Sequence, residues 1–306
     1  MRFNKLDLNL LVALDALLVE SSISRAAARV HLSQGAMSNA LARLREHFGD
    51  ELLVAVGRRM EATPRAQALA PMVRDLLVRI DATLQVQPLF DPTTTDRRFR
   101  IVASDYSMWV FVPQLLQHAA ELGATACFEF LPQVGNATQA LERGEADILI
   151  IPLRYVSPEH PAAPLFRDEF TCLMDRHHAL AGQPLTREAY AAAGHVVMQP
   201  PGTPAAAIDA SHLEQLGITR RVEVASYSFS SLPGLVAGTQ RLATVQRRIA
   251  RKACTHLPLV AVDPEFELPT VDQRLQWHRH RATDPGLLWL RETLAAAAQQ
   301  MDSLAG

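Results

Sequence analysis

Residues 22–48, SISRAAARVHLSQGAMSNALARLREHF, read as two short helices joined by a tight turn. Ser24 stands where an N-cap belongs, ahead of a first helix through Arg25-Ala26-Ala27-Ala28-Arg29-Val30. The alanine run lets that helix approach a neighbour closely. His31-Leu32-Ser33 breaks the helical period, and Ser33 can cap a second helix. In it Met37, Leu41, Leu44 and Phe48 fall three and four apart and share one face. The opposite face carries Gln34, Ser38, Asn39 and Arg43. Amides, hydroxyls and a guanidinium are what base edges and phosphates meet on a helix lying in a major groove. A plain amphipathic surface helix more often shows Glu and Lys there.

Outward from this helix-turn-helix, Asp7 can cap an earlier helix with Leu10, Leu11, Leu14, Leu17 and Leu18 as its buried stripe. Residues 52–56 make a short strand, 57–59 a turn and 60–63 a return strand, which together form a wing. Arg58 and Arg59 at its tip suit phosphate or minor-groove contact, and either alone also reads as a solvated turn residue. Thr63-Pro64 opens a long helix to about Val86, with Leu69, Met72, Val73, Leu76, Leu77, Ile80 and Leu84 at helical spacing. A helix this long, with no partner nearby in sequence, is expected to bury its stripe against a copy of itself. Residues 88–96 are a hinge with two prolines and a threonine run.

The remainder alternates strand and helix. Strands are expected at 98–104, 124–131, 147–153, 170–174, 195–199, 220–226, 242–245 and 274–278. Helices are expected at 107–122, 138–143, 185–193, 205–216, 229–237 and 284–301. Such alternation implies open sheets with helices on both faces.

The bulk numbers set limits. The chain has 306 residues, 48% hydrophobic and 20% charged, with a net charge of −2. That fits a globular protein of two or three compact units. Residues 1–65 hold nine basic and seven acidic side chains, so this piece carries +2 and the rest −4. An excess so small leaves clustering to do the electrostatic work. Cys127, Cys172 and Cys254 show neither disulfide nor zinc spacing, which suits a reducing cytoplasm. Cys127 and Cys172 read as small core residues, with a redox role as the alternative. The eleven histidines, including His177-His178 and His278-Arg279-His280, show no metal spacing and read as solvated loops. No signal peptide or apolar run near 18 residues is present, so export and membrane spanning are not expected.

The first 65 residues resemble the winged helix-turn-helix of LysR-type transcriptional regulators. MRFNKLDLNLLVALDALLVE (1–20), AAARVHLSQGAMSNALARLR (26–45) and GRRMEATPRAQAL (57–69) are close to the NodD and NahR branch of that family. So are FDP (90–92), RFRIVASD (98–105) and TDPGLLWLR (283–291), which carries the resemblance over nearly the whole chain. Relatives usually have Pro or Ser where this chain has Gly35, which lacks the fixed φ of proline and costs some backbone entropy.

The resemblance implies an α/β protein in three parts. These are a winged helix-turn-helix DNA-binding domain (1–65), a linker helix pairing antiparallel in a dimer (66–89), and a periplasmic-binding-protein-like effector domain (90–306). The last would contain two α/β subdomains, about 96–167 with 270–306 and about 168–269. The implied DNA-binding residues are Ser33, Gln34, Ser38, Asn39, Arg43, Arg58 and Arg59. The implied partners are double-stranded DNA with an inverted repeat, a small-molecule effector and a second copy or a tetramer of the chain. RNA polymerase is left open as a further partner, and no cofactor, metal or membrane is expected.

For the effector, open α/β sheets bind ligands beyond the carboxyl ends of their strands, at helix N-termini. Ser104, Asp105, Tyr106 and Ser107 stand there, offering hydroxyls and backbone N–H groups for an anion or a phenol oxygen. Asp105 reads as a helix cap rather than a ligand contact. Opposite should lie Gln199 and Thr203 in the rigid loop 199–204, and Phe229 at the start of a helix, able to stack on a flat ligand. Arg248 matches an arginine that faces the effector in relatives, and Gln246 replaces a proline common there. Phe229 as core and Arg248 in a surface ion pair are the ordinary alternatives. Salicylate-type relatives carry a different titratable residue at Asp168, whereas NodD-like ones share Asp168-Glu169. This favours a neutral phenolic effector over a simple benzoate.

The expected function is therefore a DNA-binding regulator that answers to a small, aromatic or phenolic molecule, and not an enzyme. An enzyme with an appended DNA-binding head is the alternative, though the chain lacks a Gly-rich phosphate loop, a nucleophile elbow and a His-Glu metal motif. A solute-binding module for transport is the other, and the first 65 residues argue against it.

Overall fold

The computed structural model of the protein describes residues 2–3, 6–57, 59–84, 90–199 and 207–303. Arg58, Thr203 and the loop around Thr203 lie outside the described residues, as does the end of the predicted long helix beyond residue 84. The chain separates into two compact units, one built on residues 1–86 and the other on 87–141 and 145–306.

The first unit opens with two short paired strands, β1 (Arg2–Phe3) and β2 (Leu6–Asp7), then α1 (Asn9–Glu20), α2 (Ile23–Arg29) and α3 (Gln34–Phe48). Asp7 is not itself the cap residue of α1, but its carboxylate accepts the Asn9 N–H at 3.1 Å. Ser22, not Ser24, caps α2: its Oγ accepts the Arg25 N–H at 3.4 Å. Both serines precede the alanine run, and Ser22 is the one whose backbone is still extended. Ser33 caps α3, its Oγ accepting the Ala36 N–H at 3.1 Å. That start turns Met37, Leu41 and Leu44 fully inward against Leu10, Leu14, Leu17, Ala26 and Ala27. Apolar burial of this kind contributes about 1.5–3 kcal/mol per large side chain.

The wing follows as β3 (Leu53–Val56) and β4 (Arg59–Ala62), paired antiparallel around Gly57 at φ +62°. Arg45 ties α3 to its base, donating to the Glu51 carbonyl at 2.9 Å and the Leu53 carbonyl at 2.8 Å. Asp50 does the same from the other side, accepting from the Leu52 N–H and the Thr63 hydroxyl. Thr63 then caps α4 (Pro64–Leu84) through the Ala66 N–H. The apolar stripe predicted for α4 divides. Val73, with Leu69 and Leu77 beside it, packs into the unit's own core, and Arg74 pairs with Asp15 of α1 at 2.9 Å. Met72 (63% exposed), Leu76 and Leu84 (80%) stay outside.

The second unit is α/β. Its elements are β5 (Arg98–Ala103), α5 (Asp105–Val110), α6 (Val112–Glu121), β6 (Cys127–Pro132), α7 (Thr138–Glu142), β7 (Ile148–Pro152) and β8 (Ala162–Asp175). They continue with α8 (Arg187–Ala192), β9 (Gly194–Met198), α9 (Ile208–Gln215), β10 (Arg221–Ser226), α10 (Leu232–Val236), β11 (Arg241–Gln246) and α11 (Arg247–Cys254). They close with β12 (Leu259–Val262), β13 (Thr270–Trp277) and α12 (Pro285–Ser303). The strand order is β10-β9-β11-β8-β13-β7-β5-β6, with β12 also on β8. The parallel group β5, β6, β7 and the group β9, β10, β11 are thus two α/β halves joined through the antiparallel strands β8 and β13.

Several expectations are corrected here. The helix expected at 107–122 is split at Phe111. Pro113 has no N–H to bond back to Trp109, and the Lys252 ammonium takes that free carbonyl at 2.8 Å. The strand expected from 170 already begins at 162, where Pro164 and the charged Arg167-Asp168-Glu169 dilute the apolar pattern. α11 and β12 had no counterpart in the sequence reading; α11 is short and rich in arginine, and only Ile249, Ala250 and Ala253 face inward. Cys127 is exposed on its strand, whereas Cys172 is buried and its thiol is pushed up to about 12 by burial. A thiol that stays protonated is a poor nucleophile. His178 and His278 are buried and accept the Leu180 and His280 N–H groups at 3.0 and 3.2 Å, so they are not solvated loop residues. Among the described residues no helix is long and apolar enough to cross a membrane.

Two measurements test this account of the fold. A methyl added at Gly35 meets nothing within 4 Å. Gly35→Ala should therefore stabilise α3 by about 0.5–1 kcal/mol, read as slower amide exchange in that helix. Asp284 accepts two hydrogen bonds from Arg97, at 2.6 and 2.7 Å, and the Gly286 and Leu287 N–H groups of α12. Burial alone would raise its pKa, but these donors hold the carboxyl below its usual value. Its contribution is then complete above the unfolded value of 3.8 and is lost as pH falls through the lower folded one. Asp284→Ala should cost about 2–4 kcal/mol at neutral pH. It should also flatten the acid limb of the pH–stability curve, and an unaltered limb would exclude this carboxyl as its source.

Candidate functional site

In the first unit, Ser33, Gln34, Ser38, Asn39 and Arg43 all lie on the exposed side of α3. Glu46, one turn further on, is exposed as well. Arg43 approaches Asp7 at 3.7 Å with both side chains substantially solvated. An exposed pair of that kind contributes little and leaves the guanidinium available to a phosphate. Arg59 is exposed at the start of β4. Arg45, which was not among the candidates, is committed to holding the wing. Its signal in the sequence is only that it stands two residues from Arg43, off the polar stripe.

In the second unit a cavity of about 780 Å³ opens between the two α/β halves. The first half supplies Ser104, Asp105 and Tyr106 from the β5–α5 junction, the segment Pro132–Thr138, and Ile151, Pro152 and Tyr155. The second supplies Met198, Ile208, Tyr227, Ser228, Phe229 and Gln246, and the joining strand β13 adds Val271 and Gln273. The position follows from the topology, because β5 and β7 end at this cavity in the manner of open parallel sheets.

The candidate residues fall on both sides of the cavity wall and off it. Ser104 caps α5 by accepting the Ser107 N–H at 3.3 Å, and the two hydroxyls lie 3.3 Å apart. Asp105 is therefore not the cap. Its carboxylate instead crosses the cleft, accepting from the Ser228 hydroxyl at 2.7 Å and the Ser230 N–H at 2.8 Å. Tyr106 is buried and donates its hydroxyl to Asp168 at 2.7 Å. Burial and the neighbouring carboxylate raise this phenol well above its usual range, so it stays a neutral donor. Burial likewise raises Asp168, against the opposing pull of hydrogen bonds from Tyr106 and from the N–H groups of Glu169 and Arg248. Asp168 thus orients Tyr106 and does not itself line the cavity.

Phe229 lines the cavity, with its ring edge-on to Tyr106 at 6.4 Å, but it precedes α10 instead of beginning it. Gln199 is exposed and off the cavity wall, and its backbone N–H goes to the Ser226 carbonyl at 2.7 Å. The Arg248 guanidinium is ion-paired with Asp302 and lies over the Phe166 ring, also off the wall. Ser228, Ser230, Gln246 and Gln273 were not among the candidates. The run Ser226-Tyr227-Ser228-Phe229-Ser230-Ser231 was visible as unusually hydroxyl-rich. Gln273 gave no signal, because only the pairing of β13 with β8 brings it here.

A helix that turns amides and a guanidinium outward serves duplex DNA, and a cavity enclosed by two α/β halves serves a small molecule. A chain carrying both is a ligand-responsive transcriptional regulator. Residues 8–67 match the bacterial regulatory helix-turn-helix protein, lysR family, and residues 93–299 match the LysR substrate binding domain. The chain belongs to the LysR family of transcriptional regulators. Nodulation protein D 2 of Rhizobium tropici is 40% identical over 99% of this chain and 96% of its own length. Nodulation protein D of Bradyrhizobium sp. (strain ANU 289) is 39% identical over 99% and 90%. The crystal structure of a probable transcriptional regulator from Pseudomonas aeruginosa superposes with a TM-score of 0.65 at 28% identity, covering 96% of this chain and 97% of that one. Such relatives are transcriptional regulators and not enzymes, and regulators of this family bind DNA and a small-molecule effector and form oligomers.

Asp105→Ala removes two hydrogen bonds that join the two halves beside the cavity. Amide exchange at Ser230 should quicken by roughly tenfold or more while the helical content is unchanged. An unchanged rate would mean that the loop is held by its own serines.

Proposed function

We propose that the protein reads an inverted-repeat operator with one α3 per half-site, and that Gln34, Ser38, Asn39, Arg43, Ser33, Arg58 and Arg59 form the contact set. The observation that carries the proposal is the single Ser33 cap, which places the apolar set of α3 inward and this polar set outward. We read residues 1–65 as the DNA-binding domain, 66–89 as the linker helix and 90–306 as the effector domain. Met72, Leu76 and Leu84, left bare on α4, support a homodimer, or a homotetramer built from it, through antiparallel pairing of that helix. The cytoplasm is where such a protein meets its DNA.

The effector in this reading is a neutral aromatic or phenolic molecule bound in the cavity. Among the described lining residues there is no Lys, Arg or His, and the one carboxylate, Asp105, accepts from two serines through Oδ2. A benzoate would have to leave water with no cation to receive it. Tyr155, Tyr227 and Phe229 offer aromatic faces for a flat ring. Ligand binding shifts the balance between open and closed cleft only by its differential affinity for the two.

Purified protein should prefer its own upstream region to random duplex, with an affinity that falls steeply between about 50 and 200 mM salt. Arg43→Ala should weaken the specific complex by about 1–3 kcal/mol without unfolding the chain. Equal affinity for both duplexes would sink the operator assignment, and an unchanged footprint would remove Arg43 from the contact set.

A further inference from the structure

A carboxylate stands beside the polar face of α3. Asp7 ends β2 and is fixed in two ways: its backbone pairs with Arg2 of β1, and its Oδ1 accepts the Asn9 N–H at 3.1 Å. Its Oδ2 lies 3.7 Å from Nη2 of Arg43. The acid is thus anchored at the start of α1, whereas Arg43 reaches it along a flexible side chain that is still 43% exposed. Duplex DNA presents phosphates all along its length, and a carboxylate near them opposes every encounter. Residues 1–65 carry an excess of only +2, so one negative charge at this surface offsets much of what attracts DNA. A surface made for phosphate alone gains nothing from it.

While water surrounds it, the Asp7–Arg43 pair adds little to stability. Docking a duplex displaces that water, and the attraction between the two groups rises as the effective dielectric falls. Asp7 then resists transfer of the guanidinium to a phosphate. It does not resist use of the guanidinium on a base edge, because N–H donors on its different sides can serve a carboxylate and a guanine together. Resting on the reading of Arg43 as a DNA contact, we infer that Asp7 is a specificity-determining positioning residue, which holds the Arg43 guanidinium for a base edge and disfavours duplexes that offer it only phosphates. Specificity gained by penalising the wrong partner costs some affinity for every partner.

The test uses full-length protein, unmodified and as Asp7→Asn, Arg43→Ala and the double variant. Each is titrated with the duplex from its own upstream region and with random duplex. Asparagine keeps an oxygen for the Asn9 N–H, and the preference for one duplex over the other is a ratio within one preparation, so any loss of folded protein cancels from it. Asp7→Asn should tighten random duplex by roughly threefold to tenfold, the effect of removing one like charge. It should lower the preference for the upstream duplex by about fivefold. In the Arg43→Ala background the gain on random duplex should persist and the preference should not change further, since no guanidinium remains to be directed. A preference unaltered by Asp7→Asn, or lowered equally with and without Arg43, would overturn the inference while Arg43 keeps its place as a contact. If Arg43→Ala alone left the upstream complex unchanged, the contact itself would be lost and both readings would fall.

Discussion

The hydrogen bond from the Ala36 N–H to the Ser33 Oγ sets where α3 begins, and much of the first unit follows from that register. The three- and four-residue spacing then puts Met37, Leu41 and Leu44 on one face, packed against α1 and α2, and the polar set on the other. The wing depends on the same register, since Arg45 reaches the Glu51 and Leu53 carbonyls only from the flank of α3 between the buried and the polar faces. One hydroxyl thus couples packing inside the unit to the surface offered outside it.

In the second unit the corresponding constraint is the passage of β8 from one half to the other. Its first part pairs with β13 and its last part with β11 and β12. The two halves are therefore joined by hydrogen-bonded strands, by α5 against α11 with Lys252 donating to the Trp109 carbonyl, and beside the cavity by Asp105 with the serine loop and by Tyr106 against Phe229.

What the sequence made legible was local. The period of α3, the proline start of α4 and the strand–helix alternation are all written in neighbouring residues, and the structure reproduces them with shifted ends. The cap of α2 was placed two residues late because Ser22 and Ser24 are chemically alike, and only the backbone conformation separates them. The break at Phe111 was a proline signal passed over within an otherwise apolar helix pattern. A cavity lies at the β5–α5 junction that the sequence pointed to, and of the residues expected opposite, Phe229 lines it whereas Gln199 and Arg248 do not. Arg248 is drawn away by Asp302 on α12, and Gln273 is delivered by a strand pairing of long sequence separation. Contacts of that kind carry no local periodicity, so no window of sequence reports them.

Among the described residues the cavity wall holds no basic group, and that has a consequence if the guest is the uncharged aromatic proposed above. Uncharged aromatics dissolve in lipid and cross a bilayer unaided, whereas charged ones are held back. Such a signal needs neither a carrier nor a relay at the surface. Its level beside the chromosome follows its level in the surroundings, and the sensor and the switch can be the same molecule.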